Sequence, residues 1–377
     1  MDTSSDRKFR HLTTFFATLV TSCPPSDQTA ARVACVRMPW VPQMIGMATV
    51  PVPTASFARP RRRYPDLAGA TLGPSRSCKF GNVTRASASS TASTTVETGA
   101  GLKLEILSQK AAGGATKAPM LFVHGSYHAA WCWTVHFFDY FSARGHDCYA
   151  VSLRGQGGSD VPSGVAVAGT LEEHAADVKD ACAFVSKASG APPILVGHSF
   201  GGLVCQRLFT GEPPPLSGLA LLASVPPSGN GEMVKRFLKR SFIASMKITY
   251  AFIAGAFKTN EKLCRECFFS DDLPDAELKT HMGSIATSCR VRLLDLKALN
   301  DSLPIPRPIP GSPPVCVIGG ENDFVVDVEG VAECAEWGGV DPVVLPRAAH
   351  DLMIDTRWEA CAQALAKFAT RVGRKGE

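Results

Sequence analysis

No glutamate occurs among the first 95 residues, and only four aspartates do (Asp2, Asp6, Asp27 and Asp66), against twelve Lys and Arg. That stretch therefore carries +8, and since the whole chain carries +5, the remainder carries −3. A mildly acidic body gives no electrostatic footing for nucleic acid. Also missing is any run of about eighteen uncharged apolar residues, so no membrane-spanning helix is expected. The thirteen cysteines lack the spacing of a metal site: Cys264-Arg-Glu-Cys267 is the one close pair, and zinc would need a second. Cys148, Cys182, Cys205 and Cys316 sit in apolar context, where free cysteine is an ordinary small core residue. No metal and no cofactor is expected.

The acid-poor stretch is rich in Ser and Thr, interrupted by prolines, and without sustained periodicity. Arg-rich, Ser-rich and acid-poor is the composition of an organelle transit peptide. The segment "NVTRASASSTAS" resembles the processing region of chloroplast precursors. Residues 1–86 are therefore expected to be a disordered transit peptide cut near Arg85–Ala86, addressed to the chloroplast, with the mitochondrion as the alternative.

Beyond it, short apolar runs alternate with helical patterns. "LKLEILS" (102–108), "PMLFVHG" (119–125), "DCYAVSLRG" (147–155), "PILVGH" (193–198), "LALLAS" (219–224), "PVCVIGG" (314–320) and "VVLP" (343–346) read as strands. Residues 130–145 read as one helix, and 170–189 as another, with Thr170 as its cap and Glu173 three residues on. Continuous apolar strands alternating with helices imply a parallel sheet covered on both faces, here a doubly wound α/β fold. Between 226 and 303 the alternation stops and helical segments follow without a strand signal. The expected organisation is a core in two parts, 96–225 and 304–372, with a helical cap at 226–303 between them.

Gly197-His198-Ser199-Phe200-Gly201 stands between a strand and a helix. A turn that tight places its central residue in a strained conformation and leaves room only for glycine on either side. Ser199 is thus expected as a nucleophile at a helix N-terminus. A serine hydroxyl needs a base, and the base an orienting acid. His350 follows the last strand, and Asp323 lies just past the strand 314–320, with Glu321 and Asp327 as nearby rivals. The oxyanion hole is expected from the backbone N–H groups of Ser126, after His124-Gly125, and Phe200. His124 and His198 are read as structural, and His128 as lining the mouth of the site.

Together "HGSYHAAWCW", "SLRGQGGSD", "GHSFGG" and "AAHDLMID" resemble the α/β-hydrolase superfamily over residues 100–372, most of all plastid-targeted serine hydrolases of plants and algae. The first motif also resembles plant methylesterases and hydroxynitrile lyases. The resemblance implies Ser199 as nucleophile, His350 as base and Asp323 as acid, an acyl-enzyme intermediate, and a small-molecule or lipid ester as substrate. It assigns Arg154 no catalytic role. The lyases carry Lys directly after the catalytic histidine; here that residue is Asp351, which argues against lyase chemistry. A receptor-like protein with slow turnover, or a lyase using the same triad, are the alternatives.

"SFIASMKITYAFIAGAF" (241–257) holds one charge, Lys247. Such a helix must bury most of its circumference. Either it packs on the core, or Phe242, Ile243, Met246, Tyr250 and Phe257 roof an apolar acyl pocket. In the second case Lys235, Arg236, Lys239 and Arg240 would hold the cap against an anionic membrane.

Overall fold

The computed structural model describes residues 90–372. The expected transit peptide, residues 1–86, lies outside the described residues. Ten strands follow in order: β1 (Ala92–Glu97), β2 (Lys103–Gln109), β3 (Met120–Val123), β4 (Cys148–Val151), β5 (Val167–Gly169), β6 (Ile194–His198), β7 (Gly218–Leu222), β8 (Arg292–Leu294), β9 (Val315–Gly320) and β10 (Val343–Leu345). Eight build one twisted sheet in the order β1-β2-β4-β3-β6-β7-β9-β10, while β5 and β8 pair separately. β1 and β2 run antiparallel to their neighbours, and from β4 to β10 every pairing is parallel.

Every residue of β3, β4, β6, β7 and β9 is buried. That is why these strands read as continuous apolar runs: helices cover both faces. On one face Phe122 stacks on Trp133, their ring centroids 4.8 Å apart, within a cluster that also holds Phe137, Phe138, Phe141 and Phe368. On the other, Val178, Leu203, Val331 and Trp337 pack against Leu121, Val123, Leu195 and Leu221. Each such side chain contributes about 1.5–3 kcal/mol of burial. The helix Leu171–Ser189 has the expected start: Thr170 accepts from the Glu173 N–H while the Glu173 side chain accepts from the Thr170 N–H.

Four readings need correction. β1 falls where the composition still resembles the tail, so the core begins by Ala92 rather than at 96; only Val96 of that strand is buried, which leaves no alternation to detect. Residues 130–145 form two helices, Trp131–Thr134 and Phe137–Ser142, because His136 leaves helical geometry (φ −137°) and lies flat on Trp358 at 4.4 Å. The short strand β5, three residues within the small apolar stretch 165–169, falls where no strand is expected. Finally, the cap span does contain a strand, β8, running parallel to β5 with Val167 opposite Arg292 and Gly169 opposite Leu294.

The cap otherwise consists of the helices Gly231–Arg240, Phe242–Ile253, Glu261–Phe268, Asp275–Ser288 and Leu296–Leu299, with a 3₁₀ turn at Ala256–Lys258. Its first helix is tied to the core by Arg236, which donates two hydrogen bonds to Asp327, each 2.7 Å. Among the described residues no helix is long and apolar enough to cross a membrane. Cys264 and Cys267 are free and buried on one helix; burial pushes both thiols up to about 12, so neither is a ready nucleophile.

Candidate active site

The turn after β6 puts Ser199 at φ 54°, ψ −126°, a backbone region that a side chain rarely adopts. It is held there because Ser199 N–H donates to Leu222 O at 3.1 Å and its own carbonyl accepts from Val225 N–H at 3.1 Å. The glycines around it are contact residues. A Cβ on Gly201 would sit 2.2 Å from His124 O, and one on Gly197 would sit 2.7 Å from Gly202 Cα. No side chain can be admitted at either place without moving backbone.

Across the turn stands the loop after β10. Within it His350 Nδ1 donates to Asp323 Oδ2 at 2.8 Å, and both groups are buried. That bond leaves Nε2 of the neutral ring as the basic nitrogen. Asp323 is fixed in turn, its Oδ1 accepting from the N–H groups of Val325 (2.7 Å) and Val326 (2.9 Å). Gly320, the last residue of β9, allows the histidine loop to close in: a Cβ there would lie 2.5 Å from Ala348 O. Burial opposes a charged His350 most strongly, but the charge and hydrogen bond of Asp323, together with Asp351, outweigh it and raise its proton affinity.

The rival acids are engaged elsewhere. Asp327 binds Arg236 and Arg240 and caps the next helix through Gly330 N–H; burial works against its charge, yet these partners hold its carboxyl below the usual range. Glu321 accepts from Arg347 N–H.

Facing Ser199 is the segment after β3. The N–H groups of Ser126 and Phe200 are engaged in no hydrogen bond with the described residues. His124 sets the orientation of the first. Its Nε2 accepts from Leu153 N–H at 2.9 Å, so its Nδ1 carries the proton and donates to Gly125 O at 2.8 Å. Gly125 O and Ser126 N–H belong to one planar trans peptide and point in opposite directions, so holding one aims the other. Burial drives the His124 pKa down to about 3, which keeps the ring neutral in this role.

His128 does not line an open mouth. It is almost wholly buried, with Nε2 2.9 Å from Asp351 Oδ2 and Nδ1 3.0 Å from Ser126 O. Asp351, which in sequence only argues against lyase chemistry, is fully buried beside His350. The one sequence signal for it is a carboxylate inside the apolar run "AAHDLMI", which demands a buried partner. His198 donates from Nε2 to His350 O at 3.0 Å, and burial lowers its pKa to about 3. His350 Nδ1 is thus given to Asp323, His198 Nε2 to a carbonyl and Asp351 Oδ2 to His128.

Over the two buried rings lies an aromatic group. Phe268 is 5.8 Å from the ring of His128 and 6.3 Å from that of His350, and it contacts Phe252 and Phe257, which both contact Tyr127. Of the expected roof, Phe257 belongs to this group, whereas Tyr250 points outward, 62% exposed, and lines nothing enclosed. The side chains of Phe242, Ile243 and Met246 lie outside the described residues. The cap cations are largely neutralised within the molecule: Arg236 and Arg240 by Asp327, Lys235 by Glu232.

A strand-serine-helix turn after β6, a buried His-Asp pair at the ends of β9 and β10 and a helical cap stand beside a family match: residues 120–364, well over half of the chain, match the model of the alpha/beta hydrolase family. The chain belongs to this family. Among curated proteins this alpha/beta hydrolase is similar to Probable esterase PIR7A of Oryza sativa subsp. indica, 32% identical over 32% of this chain and 45% of that protein. It is likewise similar to Esterase PIR7B of Oryza sativa subsp. japonica, 30% identical over 34% of this chain and 47% of that protein. The match thus spans about half the length of these curated relatives. Among solved structures, the esterase RhEst1 from Rhodococcus sp. ECU1013 superposes with a TM-score of 0.54 at 20% identity, covering 74% of this chain and 99% of that one. A membrane phospholipase A described as a bacterial virulence factor gives 0.54 at 18% identity, covering 75% and 87%. At these identities the structural likeness shows the fold alone.

Proposed function

We propose that this alpha/beta hydrolase cleaves carboxylic esters through an acyl-enzyme formed on Ser199. The observation that carries the reading is the conjunction of a strained, glycine-flanked Ser199 with a buried His350 whose Nδ1 is committed to Asp323. His350 Nε2 takes the Ser199 hydroxyl proton as Oγ attacks the ester carbonyl. The carbonyl oxygen becomes an oxyanion that accepts from Ser126 and Phe200 N–H; losing one such donor typically removes about 3 kcal/mol of transition-state stabilisation. Collapse breaks the ester C–O bond, and the alcohol leaves with the proton from His350. Water then repeats the sequence on the acyl-enzyme, releasing the acid and restoring Ser199.

The aromatic group of Tyr127, Phe252, Phe257 and Phe268 favours an apolar acyl or alcohol part, and the esterase names of the rice relatives agree with an ester substrate. Peripheral membrane contact is the part that the cap supports least, because Lys235, Arg236 and Arg240 already have carboxylate partners. The acid-poor leader supports delivery to the chloroplast, with the mitochondrion as the alternative; import into isolated organelles with removal of the leader tests it. The deciding experiment for the activity is turnover of para-nitrophenyl esters together with covalent labelling by a serine-directed fluorophosphonate. Binding of such esters without turnover or labelling would favour the receptor-like alternative.

A further inference from the structure

Asp351 directly follows His350, has no exposed surface, and sits among three imidazoles. Its Oδ2 is bonded to His128 Nε2 at 2.9 Å, and its Oδ1 lies 3.9 Å from His198 Nε2 with no hydrogen-bond partner among the described residues. Its backbone N–H donates to Phe268 O, at the cap end of the aromatic group. His128 faces an acceptor at both ends, since Nδ1 stands 3.0 Å from Ser126 O. Two acceptors on one imidazole require two protons between the ring and the carboxyl, so His128 and Asp351 form one proton-linked unit. A buried ion pair adds little net stability compared with apolar side chains of the same volume, so stability alone is a poor account of it.

What the pair does join is specific. Residue 126 is in the loop that supplies an oxyanion donor, and residue 351 is in the loop that supplies the base. Building on the ester-hydrolase reading, we propose that the His128–Asp351 pair is a positioning bridge: it fixes the Ser126 loop against the His350 loop and places a second carboxylate beside the catalytic imidazole. Asp323 orients His350 through Nδ1, whereas Asp351 acts through space and through His128. The groups that face Asp351 are His128 on the oxyanion loop, His198 at the end of β6, His350 on its own loop, Asp355 in the following turn, His281 and the thiols of Cys264 and Cys267 in the cap, and the thiol of Cys132. The thiols stay protonated through burial, leaving the imidazoles and the two carboxylates as the charges that matter near neutrality.

The test uses Asp351→Asn and His128→Gln in the full chain, with para-nitrophenyl butyrate across about pH 5 to 9 and fluorophosphonate labelling of Ser199. Asparagine keeps the shape of the bridge and removes its carboxylate; glutamine leaves Asp351 without its imidazole partner. Both variants should lose about 10²-fold in kcat, the scale expected of a small misplacement, with KM little changed. The acid limb of kcat/KM should move in opposite directions: down in pH for Asp351→Asn, which removes negative charge from beside His350, and up for His128→Gln, which uncovers it. A merely structural pair would move neither limb. Should either single variant fail to fold, the double variant removes both charges together, and the same loss of kcat with a lowered acid limb is expected. Wild-type kcat with an unmoved acid limb in a folded variant overturns the bridge. Absence of labelling in the wild type would instead overturn the ester-hydrolase reading itself, so the two failures are distinguishable.

Discussion

Gly125 stands against Ser199 so closely that a methyl group on its Cα would lie 2.7 Å from the serine Cβ, and 3.2 Å from both His198 Nδ1 and His198 O. Contact of this kind fixes the loop after β3 relative to Ser199. Gly125→Ala must push the loop away, and since misplacement of about 1 Å can cost 10²-fold, activity should fall by about that factor. Circular dichroism and melting of the variant should stay close to wild type if the loop alone yields. Full activity in the variant would show that the loop's position is not limiting.

Ser199→Ala should abolish esterase activity, by about 10⁴- to 10⁶-fold, while the protein remains folded. Intact-mass measurement after fluorophosphonate treatment should show one adduct on the wild type and none on the variant. An adduct that persists on the alanine variant would move the nucleophile elsewhere.

Asp323→Asn and Asp327→Asn should separate cleanly in kinetics. The first removes the acceptor of His350 Nδ1 and should reduce kcat by orders of magnitude, about 10⁴-fold for a wrong tautomer. The second breaks a cap tether and should leave kcat within a few-fold. Since the charge of Asp323 raises the proton affinity of His350, kcat/KM of the wild type should rise through a midpoint above the ordinary imidazole value of 6.5. In Asp323→Asn that midpoint should drop. A crippled Asp327→Asn beside an active Asp323→Asn would reverse the assignment.

Asp327→Asn should instead read out in stability. It removes the charge of an almost fully buried carboxylate that binds two arginines, while asparagine can still cap the helix, so about 2 kcal/mol and roughly 5 °C in Tm are expected at neutral pH. The folded carboxyl sits below its ordinary value of 3.8, so this stabilisation is complete above the ordinary value. It is lost as pH falls through the folded value. The gap in Tm between the two proteins should therefore be constant near neutrality and close under acid; a gap independent of pH would locate the effect in packing.

For substrate class, kcat/KM should increase from acetate to octanoate para-nitrophenyl esters, since each methylene buried against the aromatic group is worth up to about 0.8 kcal/mol. Phe268→Ala should flatten the series. A preference for acetate would point to a small ester.

How much of this was legible beforehand follows from the kind of signal involved. Ser199, His350 and Asp323 could be named because each sits at the carboxyl end of a strand that the apolar pattern reveals. Its offset from the strand end favours Asp323 over Asp327; what no pattern carries is that Arg236, from the cap, binds Asp327 while His350 bonds Asp323. The bridge from His128 to Asp351 spans 223 positions and leaves no local trace. β1, with one buried residue, and β5 and β8, three residues each, are too short or too exposed to show a period.

The small β5–β8 ladder has a consequence for how the molecule comes apart. Beside it Gln156 pairs with Cys289, Gly157 N–H donates to Ser288 O, and His174 Nε2 bonds Leu293 O, so the end of the cap is sewn into the loops that follow β4 and into the helix after β5. Arg236 secures its beginning. A cap fastened at both ends has no independent melting transition: it belongs to the cooperative unit of the sheet, and the amides of residues 292–294 should exchange with solvent only as slowly as the core strands do. Admission of a substrate is then a matter of local breathing between the two fastenings, around the helices that carry the aromatic group, and not of the whole cap swinging away.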